Sequence, residues 1–214
     1  MALEASHVRI ALAVQDKLSI TDRGAYVCGS IYPDSRYITK IDRFLTHPED
    51  YRKDPMFKKS DFYKGWLVHL LTDDIQYKAT KEALPKVCEG VEGQGSDVWV
   101  RRTAIKIIQD MADAKSFDVR SVLPYLDQAF TPNGEDETLI KKYNNLFVDM
   151  YKSTDNLSLE SYAIFWRALG IDSDTEKRLI TQTETYVTDH DIASKAAELY
   201  EAVVRRLSEE LPTV

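Results

Sequence analysis

Apolar residues recur at steps of three and four along most of this chain, and that spacing limits its fold more than any other feature. The segment near the carboxyl end shows it clearly, because one helical face would carry Ile192, Ala196, Leu199, Val203 and Leu207. Alternating patterns typical of strands are nearly absent, and the short run at 98–100 is better explained as the start of a helix. The sequence therefore predicts an all-α fold.

The periodic segments predict one compact helical bundle spanning residues 1–214. Glycine and proline interrupt the pattern near residues 90–95, 131–136 and 170, but none of these breaks is long enough for an interdomain linker. We expect a site-bearing half of about 1–85 and a C-terminal helical half of about 96–214. The predicted helices lie near 4–18, 35–42, 60–84, 97–114, 119–128, 136–152, 158–169, 173–186 and 189–210.

Several helix starts carry capping signals. Ser60 and Ser96 precede periodic segments and are predicted N-caps. Two further segments, 173–176 and 188–191, fit the capping-box pattern and predict caps at Ser173 and Thr188.

Composition excludes several classes of protein. The chain has 28 Lys and Arg residues against 35 Asp and Glu, a net charge of −7, which argues against a general nucleic-acid-binding surface. No apolar run approaches the ~18 to 20 residues that span a bilayer. Charged residues near the amino end interrupt the apolar run that a signal peptide needs. We therefore expect a cytoplasmic protein.

The count of cysteines and histidines limits any metal site. Cys28 and Cys88 lack metal-type spacing and are expected to be free thiols. A metal site would therefore use His, Asp and Glu, and the chain has only four histidines.

One predicted helix, SDFYKGWLVHLLTDDIQYK, carries His69 and Asp73 four residues apart, so both side chains project from the same face. A buried carboxylate needs a cation, hydrogen-bond donors or a metal ion. An imidazole and a carboxylate at this spacing can chelate a divalent ion such as Zn²⁺. A His–Asp hydrogen bond without metal is the alternative. Burial of this face is indicated by Phe62, Trp66, Leu70 and Tyr77.

Two upstream motifs add residues of the same chemical type. Asp34 follows a proline in GSIYPD, and His47 precedes one in FLTHPED. Taken singly, Asp34 is also typical of a helix cap and His47 of a surface loop.

The order of these motifs resembles the superfamily of zinc-dependent phospholipases C and related nucleases. The resemblance covers roughly the first 80 residues: a histidine in the amphipathic helix ASHVRIALAV, then GSIYPD, then FLTH, then FYKGWLVHLLTD. It implies a helical bundle in which up to three metal ions activate water for phosphodiester hydrolysis.

The resemblance also implies a ligand set. Asp34, His47, His69 and Asp73 would hold one ion, with Asp34 and Asp73 serving the catalytic step, and His7 would join Asp73 at a second centre. Tyr77 stands where the family commonly has another histidine, and no later HxxxE pair would complete a third centre. We expect one Zn²⁺ or another divalent ion, with two ions as the alternative.

These observations predict a metal-dependent hydrolase that acts on a small anionic phosphoester through a metal-bound water. A non-catalytic helical binding or scaffold protein with a residual or structural metal site is the alternative. A third possibility is a helical phosphohydrolase built on the adjacent pair His190 and Asp191, although that pair lies at a predicted helix start.

Other charged residues have two interpretations each. Arg36, Lys40 and Arg43 either attract an anionic substrate or form a solvated face. Asp110, inside an apolar helix pattern, is either an extra ligand or general base, or an exposed helix carboxylate. The sequence does not indicate the substrate's identity or the oligomeric state.

Overall fold

The chain was examined as a computed structural model that describes residues 3–153 and 157–211. All regular secondary structure in these ranges is helical, which confirms the all-α prediction. None of the described helices combines the length and apolar character needed to cross a membrane. The α-helices are α1 (Glu4–Val14), α2 (Arg23–Ile31), α3 (Arg36–Thr39), α4 (Arg43–Thr46), α5 (Asp61–Ala83), α6 (Asp97–Ser116), α7 (Glu137–Tyr151), α8 (Leu159–Ala168), α9 (Ser173–Thr188) and α10 (His190–Glu210).

Helices α2 and α5 form the closest helix pair near the site. A β-carbon at Gly29 would lie 1.9 Å from the carbonyl oxygen of Phe62, and one at Gly65 would lie 2.0 Å from that of Tyr26. Only glycine allows two helix backbones to approach so closely. This contact brings the carboxyl-terminal half of α2 against the first turns of α5.

Helix α6 joins the two halves of the chain, because it packs against α1 as well as α9 and α10. Buried apolar side chains from Leu3 to Leu211 form one cluster across these helices. The largest fully buried side chains include Trp66, Tyr143 and Trp166, so these aromatic residues fill the bundle.

Helix α2 was not predicted. All of its residues from Gly24 to Ile31 are buried, so the segment has no polar face and shows no amphipathic period. The helix begins after Asp22, whose carboxylate accepts a hydrogen bond of 3.0 Å from the amide of Ala25.

Three predicted helices are shorter than expected. Residues 15–18 form a 3₁₀ turn after α1, and the helix predicted at 35–42 is reduced to α3 because Lys40 adopts a left-handed conformation with φ of 59°. The segment 119–128 is wrong as one helix and forms two short 3₁₀ turns, the second with a proline in its first turn.

The cap of α6 is confirmed, since the side chain of Ser96 accepts a hydrogen bond from the amide of Trp99. The predicted caps of α9 and α10 are wrong by one residue. Asp172 and Asp189 are the N-caps, and each carboxylate accepts hydrogen bonds from two backbone amides. Aspartate is as good a cap as serine, so the capping-box pattern alone did not decide the position.

Candidate metal centre

The five residues that the sequence singled out meet at one place in the fold. His7 comes from α1, Asp34 from the 3₁₀ turn Tyr32–Ser35, His47 from the residue after α4, and His69 and Asp73 from α5. Ligand atoms of His7, Asp34 and His69 lie within 4.8 Å of one another, and the same holds for His47, His69 and Asp73. His47 is therefore part of this cluster and the surface-loop interpretation is wrong.

Asp73 lies between the three histidines. Its Oδ1 is 3.7 Å from Nε2 of His7, while its Oδ2 is 3.8 Å from Nε2 of His69 and 3.9 Å from Nε2 of His47. Asp34 approaches from the other side, with Oδ2 at 4.0 Å from Nε2 of His69. Two atoms that bind one Zn²⁺ tetrahedrally at ~2.0–2.2 Å lie about 3.3–3.6 Å apart. The side chains would have to close by only a few tenths of an ångström around an ion.

Hydrogen bonds orient two of the imidazoles. Nδ1 of His69 lies 2.8 Å from the carbonyl oxygen of Ser30, so it donates its proton there and leaves Nε2 as the lone-pair nitrogen. Nδ1 of His47 lies 2.9 Å from Oγ1 of Thr46. The indole of Trp66 donates to the backbone carbonyl of Thr46 at 2.8 Å and fixes this turn against α5. Both Nε2 atoms therefore point toward Asp73.

Several buried polar atoms in the cluster have no hydrogen-bond partner within the described ranges. They are both ring nitrogens of His7, Nε2 of His69 and Oδ1 of Asp34. The ring of His7 instead stacks on that of His69, with 3.8 Å between the centroids. A buried polar group left without a partner costs about 1–3 kcal/mol. This donor set, nitrogen and oxygen atoms with unused lone pairs, fits a divalent cation such as Zn²⁺.

Electrostatics keep the ligand atoms in the form that binds metal. Burial, reinforced by the neighbouring His69, lowers the pKa of His47 to about 2 and that of His7 well below its ordinary value. Both imidazoles are therefore neutral near pH 7 and keep a lone pair. Burial raises the pKa of Asp73, but surrounding positive charge, that of Lys106 included, outweighs it and holds the pKa well below 3.8.

Asp34 differs from Asp73. Burial, the largest effect, raises the pKa of the Asp34 carboxyl above 3.8, while His69 acts in the opposite direction. A cation bound beside Asp34 would favour its ionised form.

Sequence reasoning missed two charged groups that surround the cluster. Lys106, on α6, is buried, and its charge helps to lower the pKa of Asp73. Glu4 is buried on α1, three residues before His7, and accepts a hydrogen bond of 3.0 Å from the hydroxyl of Tyr143. Burial and then the nearby Asp34 raise the pKa of Glu4 well above 4.5. The spacing of Glu4 from His7 was a usable signal, whereas nothing local distinguishes Lys106 from other basic residues.

Asp110 is buried, so its interpretation as an exposed helix carboxylate is wrong, and it belongs to neither ligand group. It is completely buried on α6 and accepts hydrogen bonds from the amide of Ser6 at 2.9 Å and from the hydroxyls of Tyr151 and Tyr162 at 2.5 and 2.7 Å. Asp113, one turn later, accepts from the hydroxyl of Ser6. Helix α6 therefore anchors the turn of α1 that carries His7.

The remaining residues considered from the sequence lie outside the cluster. His190 is exposed at the start of α10, which gives no support to a site built on His190 and Asp191. Tyr77 donates a hydrogen bond to Glu92 at 3.0 Å. Cys28 and Cys88 are both free thiols, as predicted.

A cavity of about 350 Å³ opens beside the cluster. Asp34, His47 and Asp73 form part of its wall, so the ligand atoms border a space that a small molecule could enter. Two of the three basic residues predicted near this site, Arg36 and Arg43, line the cavity, and Lys40 does not. The rest of the wall comprises Arg102, Tyr37, Glu92, Gly93, Gln94, Val98 and Trp99.

No protein-family model matches the chain, and neither a curated protein nor a solved structure matches it. The resemblance to the zinc-dependent phospholipase C and nuclease superfamily therefore stays a prediction.

Proposed function

We propose that this protein is a metal-dependent phosphoester hydrolase with the bundle type of the zinc-dependent phospholipase C and nuclease superfamily. The observation that carries the proposal is the meeting of three histidines and two aspartates from four separate segments beside a cavity. Among the described residues, buried atoms of His7, Asp34 and His69 have no hydrogen-bond partner. Buried polar atoms are normally satisfied, so a cluster of unsatisfied ones points to a bound ligand.

The residues divide into two adjoining ligand groups. Asp34, His47, His69 and Asp73 would hold one divalent ion, with Zn²⁺ the best match to the nitrogen and oxygen ligands. His7 faces the opposite oxygen of Asp73 and would border this ion or hold a second one. A bound ion would supply an activated water molecule and neutralise charge on the phosphoryl oxygens.

Asp34 is the residue placed to move a proton. Its Oδ2 faces His69, while its buried Oδ1 has no hydrogen-bond partner in the described part of the chain. With a cation beside it the carboxyl would be ionised, and its buried Oδ1 could then accept a proton from the attacking water. The water oxygen would bond to phosphorus as the phosphorus–oxygen bond to the ester group breaks, and the leaving alkoxide would take up the proton that Asp34 had accepted.

Metal analysis of protein purified without a histidine tag tests the binding step. We expect about one ion per chain, and a content below about 0.3 ion that zinc reconstitution does not raise would contradict the proposal. Turnover would be assayed with bis-p-nitrophenyl phosphate and p-nitrophenyl phosphorylcholine in the presence of Zn²⁺, Mn²⁺ or Ni²⁺.

A structural metal site in a non-catalytic protein is the second candidate. It is favoured by the way the ligands come from α1, a 3₁₀ turn, the end of α4 and α5, since an ion would cross-link these elements. Asp73→Asn separates the two functions. A catalytic site predicts lost turnover with a largely intact fold, whereas a structural site predicts lower thermal stability and no turnover in the wild-type protein.

A further inference from the structure

Three arginines face the cavity beside the metal ligands. Arg36 lies over the ring of Tyr37, with Cζ 4.2 Å from the ring centroid, and donates to the Tyr37 hydroxyl at 2.8 Å. Its Nε is buried and has no hydrogen-bond partner among the residues that the structure describes. Arg43, at the start of α4, is exposed and forms no ion pair with a described residue.

The third arginine, Arg102, comes from α6 and also lines the cavity. It stacks over Tyr77 at 4.2 Å and pairs with Glu92 at 3.4 Å. The three arginines therefore come from α3, α4 and α6. Only the tertiary fold brings their positive charges to one cavity.

The balance of charge in the cavity favours an anion with two negative charges. Its wall contains three arginines and three carboxylates, those of Asp34, Asp73 and Glu92. A divalent ion at the ligand cluster would leave an excess of two positive charges. A quaternary ammonium group, which prefers aromatic rings and carboxylates without competing cations, would be repelled.

Resting on the proposed function, we propose that Arg36 and Arg43, together with Arg102, bind the terminal dianionic phosphate of a small phosphomonoester. The guanidinium fork matches phosphate oxygens and donates two hydrogen bonds to them at once. The volume of about 350 Å³ lies at the lower end of the range for ligand pockets and suits a small ester. The site selects phosphomonoesters over phosphodiesters and over phosphocholine esters.

Titration calorimetry on the zinc-loaded protein tests this selection, with inorganic phosphate and dimethyl phosphate as probes. We expect phosphate to bind at least about tenfold more tightly than dimethyl phosphate, because charge-assisted hydrogen bonds to a dianion are stronger. Arg43→Gln should weaken phosphate binding about tenfold and Arg43→Lys less, while zinc content stays unchanged. Arg23→Gln removes the same charge from an exposed position outside the cavity and should leave binding unaltered.

Equal affinity for the two probes, or phosphate binding that Arg43→Gln does not change, would overturn the inference. Zinc content and hydrolysis of p-nitrophenyl phosphate, measured on the same samples, separate this failure from failure of the hydrolase proposal. Zinc binding and turnover without a role for Arg43 refute only the arginine site. Phosphate binding that needs Arg43 in a protein without zinc or turnover refutes only the hydrolase.

Discussion

The properties of single imidazoles determine what the cluster can bind. His69 is completely buried, and its bond to the Ser30 carbonyl settles which nitrogen keeps the lone pair. The ring of His47 is held by a hydrogen bond between its Nδ1 and the hydroxyl of Thr46, its neighbour in the chain. His190 has the same side chain but lies exposed at the start of α10. Position in the fold, not residue type, distinguishes a ligand from a solvated histidine.

Replacing His47 should therefore reduce metal binding, whereas replacing His190 should not. His47→Gln removes one ligand nitrogen from the group that contains His69 and Asp73. We expect zinc content to fall from about one ion to below about 0.3 per chain after dialysis against a weak chelator. His190→Gln is the matched control, and equal zinc content in the two variants would show that His47 is not a ligand.

At the level of helices, two contacts place the ligands. The close approach of α2 to α5 at Gly29 and Gly65 brings the Ser30 carbonyl to His69. The buried carboxylate of Asp110 fixes the first turn of α1, and so positions His7. Neither contact is made by a residue of the cluster, but the first positions His69 and the second positions His7.

Gly65→Ala should disrupt the first of these contacts. Its new β-carbon would lie 2.0 Å from the backbone oxygen of Tyr26, so α2 and α5 would have to move apart. We expect a loss of at least about 2 kcal/mol in the free energy of unfolding, measured by urea denaturation, and weaker zinc binding. Gly24→Ala, also at the contact surface of α2, is the control because its nearest neighbour is the movable amide of Gln128. Equal stabilities for the two variants would contradict the importance of the backbone contact.

The contact between Asp110 and the first turn of α1 should make the stability of the folded state depend on pH. Burial raises the pKa of Asp110 from 3.8 to about 6, so between these values the folded state holds a proton that the unfolded state releases. This contribution to stability is complete below about pH 3.8 and is lost as the pH rises through about 6.

Asp110→Asn cannot titrate and lacks this dependence. Between pH 4 and pH 7 the wild-type protein should lose up to about 3 kcal/mol relative to the variant, as measured by urea denaturation across that range. Asp118→Asn, at an exposed aspartate, is the control, and its free energy of unfolding should change with pH as that of the wild type does. If the free energies of unfolding of the wild type and Asp110→Asn differed by the same amount at every pH, the pKa of the Asp110 carboxyl would not be raised.

Across the whole molecule, the sequence predicted the helices and site residues that a local pattern marks. It missed those that only tertiary packing defines. Amphipathic spacing located most long helices, but α2 escaped because it is buried on every side. The order of the short motifs predicted the five residues of the cluster, because each motif contains a histidine or an aspartate at a recognisable position. Lys106 could not be predicted in this way, because only the packing of α6 against the site separates it from solvated basic residues.

The assembled centre links elements from much of the first half of the chain, so a bound ion should stabilise the whole fold. An ion that binds only the folded state at one hundred times its dissociation constant adds about 2.7 kcal/mol. For a chain of this size that corresponds to a rise of about 5–10 °C in Tm. Calorimetry with Zn²⁺ and then with excess chelator should show this shift and its reversal. A change below about 1 °C at saturating zinc would argue against any intact centre.

The bond between Ser6 and Asp110 also imposes an order on events during synthesis. Helix α1 has only 11 residues and would be marginal in water by itself. Its anchor follows 104 residues later in the chain, a delay of about 5–20 s at ordinary rates of translation. Tyr162, which completes the hydrogen bonding of that carboxylate, emerges later still. Until α6 and α8 have been synthesised, the turn of α1 that carries His7 therefore lacks these anchoring hydrogen bonds.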